Sequence, residues 1–214
     1  GLALGISVLI NDYVAFGKSY FRMVFLLPLL VAPAIAAIVL RVFFSANGGI
    51  VNLLSGAMTG TPSYFDWLGS EAFIKPLVVL LVVWRWTGWY IIIFMAALQS
   101  IPRDIYEAAR MDGVGRWAIF SRITLPLLLP SVAFAAITAT LGGLQMFDEP
   151  YVLTQGLGGT NNSATTLGRY LFATAFTRLN FGVGSAVSWY IFAAVVILTL
   201  LYQAGLKRLR GASA

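Results

Sequence analysis

Residues 107–130 read "EAARMDGVGRWAIFSRITLPLLLP" and contain five charged residues, in a chain of 214 residues that is 59% hydrophobic and 10% charged. Apolar sequence lies on both sides of this stretch. A soluble domain carries roughly 25% charged residues, so the composition predicts a protein whose surface faces a lipid bilayer. On composition alone, residues 107–122 are an ordinary polar loop between two membrane spans.

Four apolar stretches are long enough to cross a bilayer, which takes about 20 residues. They predict spans over residues 21–44, 76–98, 123–147 and 183–206. Residues 1–17 predict a partial span, because the apolar opening is short and has no initiator methionine, and we expect the chain to be truncated at its N-terminus. The predicted fold is all-α and integral to the membrane, with a single transmembrane domain over residues 1–214.

The placement of lysine and arginine orients these spans. Nine cations fall on one side and four on the other, and cytoplasmic loops carry the excess. The segment 101–122 and the C-terminus are therefore predicted to be cytoplasmic. The nine are Lys18, Arg22, Arg103, Arg110, Arg116, Arg122, Lys207, Arg208 and Arg210, and the four are Arg41, Lys75, Arg169 and Arg178.

The segment 101–122 predicts a short helix, a bend and a second helix. Ser100 is the predicted N-cap, with Pro102 and Asp104 in the first turn. Gly113 allows a positive φ and a sharp turn, after which "RWAIFSRI" restarts a helix that leads into the membrane. Proline kinks are expected at Pro126 and Pro130. An apolar side of the first helix is predicted from Ile101, Ile105, Ala108, Ala109 and Met111.

The spacing of the segment matches a known motif. Glu-Ala-Ala is followed by three residues, a glycine, nine residues and then Ile-x-Leu-Pro. This resembles the signature of the membrane subunits of binding-protein-dependent ABC importers. The residues at the motif positions are Glu107, Ala108, Ala109, Gly113, Ile123, Leu125 and Pro126.

The resemblance covers nearly the whole chain. Residues 25–54, 96–113 and 147–156 ("FDEPYVLTQG") are similar to the sugar-permease branch that includes maltose and glycerol-phosphate importers. One departure lies after Thr154-Gln155, where the family often has Gly-Gly-Pro and this chain has Gly156-Leu157-Gly158-Gly159.

The resemblance implies that transport needs several subunits with different roles. Two permease subunits form the pathway, an ATPase dimer on the cytoplasmic side powers it, and an extracytoplasmic solute-binding protein delivers the solute at a bacterial-type inner membrane. The motif residues together with Asp112 would form the element that couples to the ATPase, with Glu107 facing a basic group there. The chain has no Walker-type glycine-rich loop, so ATP is expected to be used by the partner and no cofactor, metal or catalytic residue is predicted here.

Candidate residues for the solute pathway are polar or aromatic side chains within apolar spans. Trp86 and Trp89 follow Arg85 in "VVWRWTGWY", and Gln145 and Asp148 are about one helical turn apart. The tryptophans also fit an interfacial aromatic belt, and Asp148 also fits a solvated helix end. Arg85, which costs about 2.5–3.5 kcal/mol at the centre of a span, is expected to snorkel outward or to face the pathway. Gly142-Gly143 predicts a close helix contact.

Other functions fit less well. The chain has no histidine or cysteine, so imidazole or thiolate metal sites and Ser–His or Cys–His catalysis are excluded. No basic run interleaved with aromatics predicts nucleic-acid binding. An importer for a non-sugar solute is the main alternative, followed by a secondary transporter, which would leave the motif spacing unexplained.

Overall fold

The computed structural model describes residues 1–13, 17–61 and 63–211. Residues 14–16 of the partial first span lie outside these ranges, as do the side chains of Lys18, Lys207, Arg208 and Arg210 used in the charge count. Within the described ranges the chain forms helices and no strand, which confirms the all-α prediction.

Eleven α-helices are described. They are α1 (Leu2–Tyr13), α2 (Lys18–Leu30), α3 (Pro33–Phe43), α4 (Ile50–Thr59), α5 (Glu71–Gln99), α6 (Arg103–Met111), α7 (Arg116–Ile119), α8 (Leu125–Leu144), α9 (Asp148–Leu153), α10 (Leu167–Phe172) and α11 (Phe181–Gly211). Phe120–Thr124 and Ala173–Thr177 are π-helical turns, and Thr160–Asn162 is a 3-10 turn.

Three segments of the described chain are long and apolar enough to cross a membrane: Glu71–Gln99, Arg116–Leu144 and Phe181–Gly205. The bent pair α2 and α3 makes a fourth if it is counted as one span. The structure therefore differs from the single helix predicted over 21–44, because Pro33 has no N–H to continue the hydrogen-bond ladder and starts a new helix. Helix α8 runs on through Pro130, and the irregular turn lies before it.

The chain forms two compact units. The first unit comprises Gly1–Leu29, Trp86–Thr140 and Ile197–Ala214, and the second comprises Leu30–Arg85 and Leu141–Val196. In the core of the first unit, apolar side chains of α1, α5 and α8 pack together, among them Ile10, Ile91 and Ala135. The hydroxyl of Ser7 donates a hydrogen bond of 3.2 Å to the carbonyl of Ile91 and so ties α1 to α5.

A close helix contact within the first unit involves Gly88. A Cβ atom at Gly88 on α5 would overlap the carbonyl oxygen of Phe25 on α2. At Gly142 and Gly143 a Cβ would meet no described atom within 4 Å, so the predicted contact there is wrong for the described part of this chain. Small residues let helix backbones approach in this way, and the sequence does not show which glycine does so.

The core of the second unit is built on α3 and α5. Ala36 and Ala37 of α3 pack with Ile74 and Leu81 of α5 and with Leu153 of α9. Helix α3 packs against α9 and also contacts α4. Because α9 is only six residues long, these contacts and the ion pair described below determine its position.

Candidate coupling segment and solute pathway

Helix α6 begins two residues later than predicted, at Arg103. The predicted cap at Ser100 is wrong: its hydroxyl donates to the carbonyl of Ala97, 2.8 Å away, at the end of α5. Pro102 is the residue before α6, in an extended conformation that the proline ring favours. Asp104 lies in the first turn and Arg110 in the last, and both placements complement the helix dipole.

The bend after α6 confirms the prediction for Gly113, whose φ is +72°. The N–H of Val114 donates to the carbonyl of Ala109, and the N–H of Gly113 donates to that of Arg110, each at 3.0 Å. This pair of bonds is the Schellman arrangement, which satisfies the last carbonyls of a helix and needs a left-handed residue. Glycine adopts that conformation without strain, so the local sequence sets the direction in which the chain leaves α6.

Most of the predicted coupling residues in α6 and in the turn after it lie at the surface of the chain. Glu107, Ala108, Asp112 and Gly113 are exposed, whereas Ala109 is buried. The predicted apolar side is only partly correct, since Met111 is 89% exposed and Ile105 is also exposed. The exposed surface combines charge with the small side chain of Ala108, so another protein surface could approach it closely.

The two ends of the motif meet through a hydrogen bond. The hydroxyl of Tyr106 on α6 lies 3.2 Å from the hydroxyl of Thr124. Thr124 is buried and is the last residue of the π-helical turn that precedes α8. Ile123 and Leu125 flank it and are half-buried, and Pro126 is exposed. The structure thus connects the exposed helix to the base of a span through Tyr106 and Thr124, two residues outside the predicted set.

The four predicted pathway residues are exposed, and their role in a solute pathway stays a prediction. Trp86 and Trp89 lie in the first unit, on α5, and Gln145 and Asp148 lie in the second. Gln145 and Asp148 do not share a helical face as predicted, because α8 ends at Leu144 and α9 begins at Asp148. The non-helical backbone of Phe147 separates the two helices.

Arg85 neither snorkels nor faces open space. It is 4% exposed and pairs with Glu149, which is 7% exposed, through Nη1 and Oε1 at 2.6 Å. Its Nη2 donates to the carbonyl of Val31, 3.2 Å away, at the break between α2 and α3. Both sequence predictions for Arg85 are therefore wrong, because its counter-ion lies 64 positions away in the sequence, too far for a local pattern to indicate it.

A second buried arginine organises the loop after α9. Arg169 donates from Nη2 to the carbonyl of Gly156 and from Nη1 to the hydroxyl of Thr165, each at 2.6 Å. Gly156 and Gly158 have φ values of +76° and +82°, and a Cβ at Gly158 would overlap the guanidinium of Arg169. The amide of Gln155, oriented with its oxygen towards Arg41, accepts a hydrogen bond of 3.0 Å from that residue. The glycines that replace the family's usual Gly-Gly-Pro thus fit a loop built around an arginine.

Residues 1–211 match the family described as binding-protein-dependent transport system inner membrane component. Three relatives are similar over 94% of the chain: the lactose transport system permease protein LacF of Rhizobium radiobacter (37% identical), the sulfoquinovosyl glycerol transport system permease protein SmoG of Agrobacterium fabrum (34%) and the trehalose/maltose transport system permease protein MalF of Thermococcus litoralis (32%). The chain spans 67%, 64% and 66% of their respective lengths.

The fold has a solved counterpart. A bacterial alginate ABC transporter, crystallised with an alginate pentasaccharide-bound periplasmic protein, contains a chain that matches with a TM-score of 0.85 at 22% identity. The match covers 97% of this chain and 71% of that one. The family match over nearly the full sequence and the identities of the relatives agree with the motif at residues 107–126. The chain therefore belongs to the family of inner membrane components of binding-protein-dependent transport systems.

Proposed function

We propose that this chain is a permease subunit of an ATP-driven importer that carries a carbohydrate across the cytoplasmic membrane. The observation that carries the proposal is helix α6, which presents Glu107 and Ala108 at the surface and is joined to the base of α8 by Tyr106 and Thr124. Because α6 is exposed, a partner protein can bind it. Because α6 is also hydrogen-bonded to the start of α8, a movement of α6 would displace α8.

The partners follow from this role. An ATPase dimer binds α6, and because the chain has no Walker-type loop, ATP is bound and hydrolysed there. A second permease subunit completes the pathway, and a solute-binding protein brings the solute from outside. On this arrangement α6 and the C-terminus face the cytoplasm, in agreement with the excess of lysine and arginine on that side.

The relatives support a carbohydrate as the solute. Their names include lactose, trehalose/maltose and sulfoquinovosyl glycerol, all of which contain sugar rings. The exposed Trp86 and Trp89 offer flat faces for the CH surfaces of such rings, and Gln145 and Asp148 offer partners for hydroxyl groups.

The test of coupling uses the complete permease, co-expressed with its ATPase and partner permease. We expect Glu107→Lys and Gly113→Pro to release the ATPase from membranes while the permease stays inserted. Asp12→Lys makes the same charge change at an exposed residue outside α6 and should leave the ATPase bound. Retention of the ATPase and of solute-stimulated hydrolysis in both α6 variants would contradict the proposed docking role.

The solute class is tested in proteoliposomes that contain the whole importer and its binding protein. Uptake of labelled lactose, trehalose or maltose should require ATP enclosed in the vesicles, where it reaches the importers whose ATPase faces the lumen, and labelled amino acids should not be taken up. Uptake of a sugar without ATP, driven by an ion gradient, would instead identify a secondary transporter.

A further inference from the structure

Helix α4 turns an apolar stripe away from the protein. The pairs Ile50/Leu53, Ile50/Leu54 and Leu54/Met58 are three or four positions apart, so the four residues share one face. All four are exposed, Leu53 by 62% and Met58 by 89%. No residue of Ile50–Thr59 is charged. In an ordinary soluble protein the apolar face of a helix is turned towards the core, so here the usual pattern is reversed.

A buried asparagine on the opposite side holds α4 in this rotation. Asn52 is 2% exposed. Its Nδ2 donates to the carbonyl oxygens of Ser45, Ala46 and Phe65 at 3.2, 3.2 and 2.9 Å, and its Oδ1 accepts from Nε1 of Trp67 at 2.8 Å. Because both ends of the amide are bonded to the surrounding loop, α4 cannot roll to bury Leu53 and Met58 without breaking these bonds.

Aromatic side chains surround the same segment. Phe65, Trp67 and Phe73 stack edge to face, with ring centroids 4.7 to 5.4 Å apart. Phe65 and Phe73 remain exposed, as does Tyr64, the most exposed of the three. Clusters of tryptophan and tyrosine are typical of the boundary between the bilayer and water.

The stripe continues an apolar surface that belongs in lipid. Helix α3 is part of the bent candidate span and exposes Ile38 and Val42. Helix α4 begins at Ile50, only six residues after α3 ends, and the two helices contact one another. A protein-docking surface usually carries a polar rim with hydrogen-bonding groups, and α4 offers none on this face, whereas lipid acyl chains need none.

We infer that α4 is an in-plane helix at the bilayer surface, with Leu53, Leu54 and Met58 embedded at the boundary of headgroups and acyl chains. The apolar stripe of α4 is covered by the lipid bilayer and not by another protein. This inference rests on the membrane setting of the proposed function and not on its solute or on ATP. The helix would hold the end of α3 and the Asn52-bonded loop at a fixed depth, close to the membrane surface, between the bent pair of α2 and α3 and the span Glu71–Gln99.

The test exploits the absence of cysteine from this chain. In a complete permease made free of cysteine and assembled with its partners in nanodiscs, Leu53→Cys is labelled with bimane. The matched control is Thr59→Cys, which is exposed on the same helix but off the stripe. Lipids with a doxyl group near the headgroup end of the acyl chain quench a fluorophore at that depth, and iodide quenches one in water.

We expect doxyl lipid to quench bimane at position 53 at least three times as strongly as at position 59, with the opposite order for iodide. The difference should disappear in an Asn52→Asp background, because aspartate cannot donate the three bonds that hold the helix. Protection of position 53 from iodide only after addition of the solute-binding protein would overturn the inference in favour of protein docking. Equal iodide quenching at both positions would overturn it in favour of a helix in water. Neither readout depends on transport, so a failed transport assay and a failed lipid assay are separate results.

Discussion

In the first unit, α5 approaches α2 so closely that Gly88 has no room for a side chain against the backbone of Phe25, and the described core is almost entirely apolar. In the second unit, α5 is held by the guanidinium of Arg85, which reaches both Glu149 on α9 and the carbonyl of Val31. The same helix is thus attached by backbone proximity over one part of its length and by buried charge over another.

The difference shows two ways to join helices where apolar burial does not distinguish protein from lipid. Lipid tails are as apolar as leucine, so close packing of small residues and polar bonds supply the specificity. The first unit uses the small residue where two helices meet directly. The second uses an ion pair, which ties the six-residue helix α9 and the break between α2 and α3 to α5.

The largest effect is expected when the ion pair is broken. Arg85→Met keeps an unbranched apolar stem but leaves Glu149 buried without its partner, which typically costs about 3–5 kcal/mol. The free energy of unfolding of the purified permease, measured by titration with a denaturing detergent in mixed micelles, should fall by that amount. The double variant Arg85→Met/Glu149→Gln should regain most of the loss, because no uncompensated charge remains. If the double variant is no more stable than the single one, the buried charge is not the cause.

A smaller effect is expected from Gly88→Ala. The added methyl group overlaps the backbone of Phe25, and overpacking of this kind costs about 1–3 kcal/mol. Gly143→Ala is the matched control, since its methyl group meets no described atom within 4 Å and alanine is the better helix former by about 0.8–1.0 kcal/mol. The same unfolding titration should show a loss at position 88 and no loss at 143. A loss of the same size in both variants would show that Gly88 is not a special contact.

The smallest change in the free energy of unfolding is expected at Thr124. The same substitution is expected to reduce the stimulation of ATP hydrolysis by solute. Thr124→Val keeps the shape but removes the hydroxyl that bonds Tyr106, at a cost of about 0.5–1.5 kcal/mol. In the assembled importer we expect the ratio of solute-stimulated to basal ATP hydrolysis to fall by at least half, with the ATPase still bound. Thr138→Val is the control, because among the described residues the Thr138 hydroxyl bonds only carbonyls of its own helix, those of Phe134 and Ala135. An unchanged ratio in Thr124→Val would show that motion of α6 reaches α8 by another route.

Several features of the fold and of the coupling segment are local and were predictable. The long apolar runs predict helices that cross a bilayer because no other solvent suits that surface. Gly113 predicts the bend because only glycine takes a positive φ at little cost, and the observed φ of +72° agrees. The spacing from Glu107 to Pro126 indicated the family, which the comparison over residues 1–211 shows.

Other features depend on partners that are distant in sequence. Arg85 and Glu149 are 64 positions apart in the sequence, and Tyr106 and Thr124 are 18 apart. A hydropathy pattern does not predict which polar side chains form hydrogen bonds with one another after folding. The break at Pro33 divided the span predicted over 21–44, and the end of α8 at Leu144 removed the helical face predicted for Gln145 and Asp148. The sequence by itself determined the membrane setting, most of the helices and the motif at residues 107–126, because these follow from composition, residue spacing and local backbone preference. Only the tertiary structure decided which glycine allows close packing, which charge is neutralised and which way α4 faces, because each of these depends on atoms brought together by folding.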